Sequence, residues 1–455
     1  MDDFDIYMDK FNEKARKYIP PKEKWTPVEE ALYKPKDLYR VPLDEAKKLQ
    51  LDAIKYSFKY HYENNQFYHN FCKEHGITPD DIKTNEDLKK IPLIPDKFFK
   101  EYPSGRDFAT WLGNIYTGKL PKIVIKQKNP SYDDVIDAFN EAGIIVTYSS
   151  GTGGRHTFIP RDKRTFSTTE YTAAKSLLTM MYPLWEYDAH AYLMMPDPRV
   201  NFIYAGKALD IAYDLVKNVN AAITQRVTTK LISMAMGGGG GLKGKIVRYA
   251  FYRESKKTID RIVDWLKQRE KAGDKIFLIG APYLIHFVIE QLKKEGTRLD
   301  FGENGGVGTG GGWKIHEHQR LPVSEFRKEV EEYLGIPSKY CLDIYAMVEG
   351  NGWMVHCPEG HYLHVPYTYY KAMVLNENFE PVDYGETGRF AFLDAAAFSY
   401  PGFIITGDQV KLLERCPVCD RPGPVLEPEI KRAKGEDVRG CAEEVRRMLT
   451  TDLGR

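Results

Sequence analysis

The run Tyr148-Ser149-Ser150-Gly151-Thr152-Gly153-Gly154 combines glycines with small hydroxyl residues directly after the apolar stretch from Gly143 to Val146. Glycines let a backbone take positive φ and approach a ligand closely, and successive N–H groups turned to one side form an anion-sized concavity. Ser149, Ser150 and Thr152 add hydroxyl donors, so a strand feeding this loop is a candidate phosphate cradle. A second glycine-rich turn, Gly308 to Lys314, has Gly311 and Gly312 beside Trp313, whose ring could stack on a flat base. The stretch from Asp343 reads as a strand ending in Glu349, a carboxylate suited to holding Mg²⁺ at a phosphate. Ile404 to Asp408 reads as a strand ending in an aspartate that can accept both hydroxyls of a ribose.

A further signal comes from sulfur. Cys416-Pro417-Val418-Cys419 is a zinc half-site, and tetrahedral structural zinc needs two more ligands. Cys357 with either His361 or His364 could supply them, and free thiols are the alternative. A redox role is less attractive because no thioredoxin-like βαβ pattern surrounds the pair. The run Gly239 to Lys245 satisfies G-x-x-x-x-G-K, but Ile246 stands where a P-loop needs a Ser or Thr hydroxyl, so that reading is rejected.

The elements that must position these residues alternate along the chain. Residues 1–118 look largely helical, as in the amphipathic stretch Asp44 to Tyr62. From there, apolar runs such as Ala191 to Met195 and Lys275 to Gly280 are each followed by a Pro or Gly turn, and the second runs on into a helical pattern. That grammar predicts an α/β fold whose ligands collect at the carboxyl ends of strands. With 455 residues, 42% hydrophobic and 28% charged, the chain can build a large core. A net charge of +1 gives no electrostatic case for nucleic acid. The acidic start argues against secretion, and six cysteines suit a reducing, cytoplasmic compartment. Phe277 to Leu292 is too short and too polar for a transmembrane segment.

Taken in this order, the motifs resemble those of the adenylate-forming (acyl-activating) superfamily, and most closely its acyl-protein synthetase (LuxE-like) branch, related to phenylacetate–CoA ligases. Tyr148 to Gly154 is similar to the superfamily's phosphate loop. Tyr345 to Glu349 matches its Tyr-Gly-x-Thr-Glu motif loosely, with Ala346 and Val348 in place of Gly and Thr, and Thr406-Gly407-Asp408 matches its ribose motif. Gly310 to Lys314 and Arg432 to Cys441 resemble runs of the acyl-protein synthetase branch. The resemblance implies a large α/β adenylate-forming N-terminal domain with sheets flanked by helices. Residues 1–118 would be its helical part, 119–408 the adenylation core and 409–455 a reduced C-terminal segment.

It further implies that ATP and Mg²⁺ convert a carboxylic acid, by the resemblance a fatty acid, to an acyl-adenylate whose acyl group passes to a thiol. Tyr345 would line the adenine or acyl pocket, and Arg432 would add a contact beside Asp408. Cys441 would be the acceptor, as in acyl-protein synthetases, with a partner protein or CoA as other acceptors and a reductase or acyl-transfer protein as partner. Two departures matter. Arg155-His156-Thr157 replaces the Pro-Lys that ends the loop in many relatives, and the stretch after Asp408 is short for a full lid with its catalytic lysine. Lys314, Lys434 or a partner's cation would then substitute. An acyl- or aryl–CoA ligase and a non-catalytic adenylate-binding subunit are the competing readings.

Overall fold

Short apolar runs separated by helix-length segments become parallel strands, because the return crossover needs a helix that covers the sheet face. The computed structural model describes residues 2–151, 155–235 and 242–433. Thr152, Gly153, Gly154, the glycine run 237–241, Lys434 and Cys441 lie outside the described residues. In chain order the strands are β1 (Ile94–Pro95), β2 (Ile145–Tyr148), β3 (Phe158–Arg161), β4 (His190–Pro196) and β5 (Asn218–Ile223). They continue with β6 (Ile276–Gly280), β7 (Gly305–Gly310), β8 (Cys341–Tyr345), β9 (Met354–His356) and β10 (Leu363–His364). The last are β11 (Tyr370–Leu375), β12 (Thr387–Asp394), β13 (Phe403–Leu413), β14 (Val425–Leu426) and β15 (Lys431–Arg432).

One extended sheet has the order β11-β12-β13-β14-β10-β9-β8-β7-β6-β4-β5. From β5 to β8 all pairings are parallel, with helices Leu242–Ala272, Pro282–Lys294 and Val323–Leu334 as crossovers. From β8 to β11 the pairings turn antiparallel. The β2–β3 hairpin stands apart and carries the Ser/Gly loop at its tip. The α/β class expected from the sequence is the class observed.

Three local expectations are corrected. The strand beginning near Asp343 stops at Tyr345, so Glu349 lies in the irregular segment that follows. The β13 strand runs on past Asp408 to Leu413, because β12 pairs with it as far as Lys411 and β14 takes up Leu412 and Leu413. The glycine-rich turn is half strand: β7 reaches Gly310 before the chain turns at Gly311 and Gly312. Glycine is a poor strand former by propensity, yet a Cβ on Gly306 would sit 2.5 Å from Leu184. Packing of Leu184, in the segment after helix Lys163–Met180, therefore leaves no room for a side chain at Gly306.

The N-terminal helices share this core. On Leu43–Asn64, Phe58 packs edge-on against Phe403 of β13 with ring centroids 6.1 Å apart. Helix Lys163–Met180 starts at the Asp162 cap, whose carboxylate accepts from the Thr165 amide, and is buried on nearly every face. Within it, burial raises the Glu170 carboxyl from 4.5 to about 8. A raised acid pKa favours the neutral folded form, so its stabilisation is complete below pH 4.5 and is lost as pH rises toward 8. Glu170→Gln is expected to raise the unfolding temperature at pH 8.5, by a free energy on the order of 2 kcal/mol, and to change little at pH 5. Melting curves at both pH values test it, and an equal shift at both would refute the assignment. Among the described residues no helix is long and apolar enough to cross a membrane.

Candidate functional site

The Ser/Gly loop is tied at its base by its own residues. The Ser149 amide donates to the Thr157 carbonyl (3.0 Å), and the Thr157 amide donates to the Ser149 hydroxyl (2.9 Å). Gly151 has φ +70°, and a Cβ there would lie 2.8 Å from the His156 ring. Both the backbone sign and the imidazole packed against it require glycine. His156 is held in turn by its Nδ1 contact to the Ser149 carbonyl at 2.7 Å. Ser150 is half-buried beside it.

Glu349 faces this loop from the segment after β8. It is 6% exposed, and burial raises its pKa against the opposing pull of Lys100 and a hydrogen bond from Thr157. Lys100 ends the short helix Asp96–Lys100 and pairs with Asp96 at 2.6 Å. Burial works against its ammonium, but Asp96 and Glu349 outweigh that effect and hold its pKa above the usual lysine value. Arg155 reaches the same corner, donating to the Lys100 carbonyl at 3.3 Å. Sequence reasoning missed Lys100 and Asp96. Their i,i+4 spacing signalled a pair, but only the parallel pairing of β1 with β13 carries that pair to the site.

On β13, Asp408 accepts from the Tyr345 hydroxyl (2.7 Å) and from Arg432 (2.9 Å), its register partner on β15. A Cβ added to Gly407 would lie 3.4 Å from Arg432 and 3.7 Å from Asp96, so the ribose-motif strand and the Lys100 helix adjoin. Burial and the neighbouring Asp408 push the Tyr345 hydroxyl well above its ordinary pKa, leaving it a neutral donor.

The other glycine turn is placed differently. Gly311 and Gly312 take φ +78° and +64° and are exposed. Trp313 is 5% exposed and packs against His286 and Phe326, which removes the free face needed to stack on a base. Lys314 is half-buried at positive φ, and burial lowers its pKa. A Cβ on Gly311 would be 3.9 Å from its ammonium, so Lys314 belongs to this turn. Cys357, His364, Cys416 and Cys419 converge at a separate point, with their ligand atoms all within 4.8 Å of one another.

Comparison with known proteins is consistent with this geometry. The family described as "Acyl-protein synthetase, LuxE" matches residues 246–450. The long-chain-fatty-acid–luciferin-component ligase of Vibrio harveyi is 24% identical over 415 residues, covering 90% of each chain. Its namesake from Aliivibrio fischeri is 21% identical over 418 residues, 90% of this chain and 91% of that one. Among solved structures, an open form of 2-hydroxyisobutyryl-CoA ligase bound to 2-HIB-AMP and CoA superposes with a TM-score of 0.57 at 16% identity. That superposition covers 92% of this chain and 82% of the ligase. The same ligase in its thioesterification state gives 0.58 at 17% identity, with 91% and 74% covered.

The fold is that of the adenylate-forming ligases, and the chain is an enzyme, its relatives both being named ligases. The match over residues 246–450 and both ligase relatives support the activity expected from the motifs, that of an ATP-dependent acid–thiol ligase.

Proposed function

We propose that the chain activates a long-chain fatty acid as its acyl-adenylate and passes the acyl group to a thiol, Cys441 being the first acceptor. The fatty acid is suggested by the names of the two relatives. A carboxylate oxygen of the acid bonds to the α-phosphorus of ATP as the bond to pyrophosphate breaks. The thiolate then attacks the acyl carbon, and AMP leaves with the bonding pair. The first step brings two anions together, so fixed cations and positioned donors must neutralise them.

The observation that carries the reading is the buried Glu349 carboxylate set between Lys100, Thr157 and the Ser/Gly loop. A buried carboxylate opposite a phosphate loop suits Mg²⁺, which when bound neutralises phosphate charge. Ser149, Ser150, Gly151 and the rest of the loop, Thr152, Gly153 and Gly154, would hold the phosphates. Asp408 would accept the ribose hydroxyls, with Tyr345 and Arg432 orienting its carboxylate. Lys100 would be the cation serving the reacting groups, in preference to Lys314, since it already faces Glu349. Gly311 and Gly312 would let the chain approach the adenine side. A reductase or acyl-transfer partner remains part of this reading, as does a cytoplasmic setting.

The test is carboxylate-dependent ATP–pyrophosphate exchange across short, aromatic and long-chain acids. Exchange confined to long chains supports the substrate, and none with any acid overturns it. With a labelled long-chain acid, the protein is expected to form a hydroxylamine-sensitive acyl thioester without CoA. A Cys441→Ser chain acylated to the same yield removes Cys441 as acceptor, and a strict need for CoA points to a CoA ligase. Removing only the hydroxyl that orients Asp408, Tyr345→Phe, is expected to raise the KM for ATP about three- to tenfold with kcat nearly kept. An unchanged KM would detach Tyr345 from nucleotide binding.

A further inference from the structure

The four residues that converge away from the nucleotide site come from two neighbouring hairpins. Cys357 follows β9 and His364 ends β10, and the turn between them closes through Cys357 N–H to the Tyr362 carbonyl at 3.0 Å. Cys416 and Cys419 sit in the turn that joins β13 to β14, and β14 pairs with β10. The Cys357 and Cys416 sulfurs are 3.9 Å apart, and the Cys419 sulfur is 3.3 Å from His364 Nε2. Three of the four are buried and Cys419 is half-buried. Three thiols and an imidazole gathered in the interior, with no bond between the sulfurs, match the donor set and closed geometry of structural zinc.

We propose that Cys357, His364, Cys416 and Cys419 hold a structural zinc ion that pins the far end of β13 to the β9–β10 hairpin.

Three thiolates on a divalent ion leave one net negative charge, and burying it calls for a nearby cation. Arg421 fills that role: it is 7% exposed, lies beside Cys419, and donates to Glu359 at 2.7 Å. His361, the other histidine of the hairpin, is turned away and contacts the Ser338 carbonyl at 3.1 Å. A second cluster, His286, Glu290 and Glu329, makes an instructive contrast. There Lys293 already contacts Glu290 at 2.9 Å and Glu329 at 2.5 Å, so an ammonium occupies the cation position. At the sulfur cluster the neighbouring cation is instead the Arg421 guanidinium beside Cys419, paired with Glu359.

The ion would close a loop between positions 59 residues apart, Cys357 and Cys416, and binding to a site absent from the unfolded chain adds to folding free energy. It would also fix the end of the strand on which Asp408 sits.

The experiment is metal analysis of the full chain purified without chelator, backed by cobalt substitution. About one zinc per chain is expected, with Co²⁺ giving the visible d–d bands and the thiolate-to-metal charge-transfer band of a tetrahedral, sulfur-rich site. Cys419→Ser should lose most of the metal, whereas Cys72→Ser, at a buried cysteine outside the cluster, should keep it. Hydrogen exchange should then rise across residues 403–426 in the Cys419→Ser chain. If that variant does not fold, the metal content and cobalt spectrum of the unaltered chain still decide. Less than about a tenth of an equivalent of zinc, stoichiometric iron in its place, or a Cys357–Cys416 disulfide would overturn the proposal.

Discussion

Glu349→Gln is expected to lower carboxylate-dependent ATP–pyrophosphate exchange by about 10²-fold or more, while leaving the unfolding temperature unchanged or slightly raised. The two halves of this expectation have one cause. Glu349 is buried, and desolvation lifts its pKa above the ordinary 4.5 even with Lys100 opposing. Its raised folded pKa means that stability is lost as pH rises from 4.5 through the folded value, so the ionised form carries a cost at neutral pH. Glutamine keeps the shape and removes that cost. It also removes the negative charge that would hold a divalent cation against the phosphates. Protonation of the same carboxylate shapes the rate: exchange by the unaltered chain should fall on acidification, a limb the variant lacks. Exchange kept within threefold, with melting unchanged, would show that Glu349 is only a packed side chain.

The second large effect is expected at Arg161, which no motif singles out. Arg161 ends β3 and is wholly buried. Its guanidinium donates to Thr147 (2.6 Å), the Val348 carbonyl (2.6 Å), Tyr400 (3.0 Å) and Asn351 (3.2 Å). It also lies over the rings of Tyr204 and Tyr400, 4.7 and 5.2 Å from their centroids. Tyr400 in turn donates to the Glu349 carbonyl at 3.0 Å. One side chain thus joins the hairpin bearing the Ser/Gly loop to the segment bearing Glu349. Arg161→Met fills similar volume but leaves several buried acceptors without donors. A loss of about 3–5 kcal/mol is expected, with a fall of several degrees in unfolding temperature. Arg161→Lys should recover only part, because an ammonium cannot reproduce the planar fork. Exchange should drop in both variants even at temperatures where they remain folded, since the loop and Glu349 lose their common anchor. If Arg161→Met melts within a degree of the unaltered chain, the network is redundant.

What the sequence determined by itself was local. The Ser/Gly loop, Glu349, Asp408 and the Cys416–Cys419 pair are set by residue type at short spacing, where backbone freedom and side-chain chemistry act within a few positions. The α/β alternation was legible for the same reason, since burial on both faces of a parallel sheet leaves apolar runs in the chain. Tertiary structure decided the rest. Lys100 meets Glu349 only because β1 pairs with β13, more than 300 residues downstream. Trp313, expected to stack on a base, is taken up by the packing of helices Pro282–Lys294 and Val323–Leu334. Between His361 and His364 the sequence left a choice, and the hairpin made it. His361 sits at the turn with φ +58° and is directed to the Ser338 carbonyl, whereas the register of β10 against β9 and β14 turns His364 toward the cysteines. Residue types within one turn of chain are constrained by local sterics, but contacts between distant strands depend on register and packing summed over the whole core.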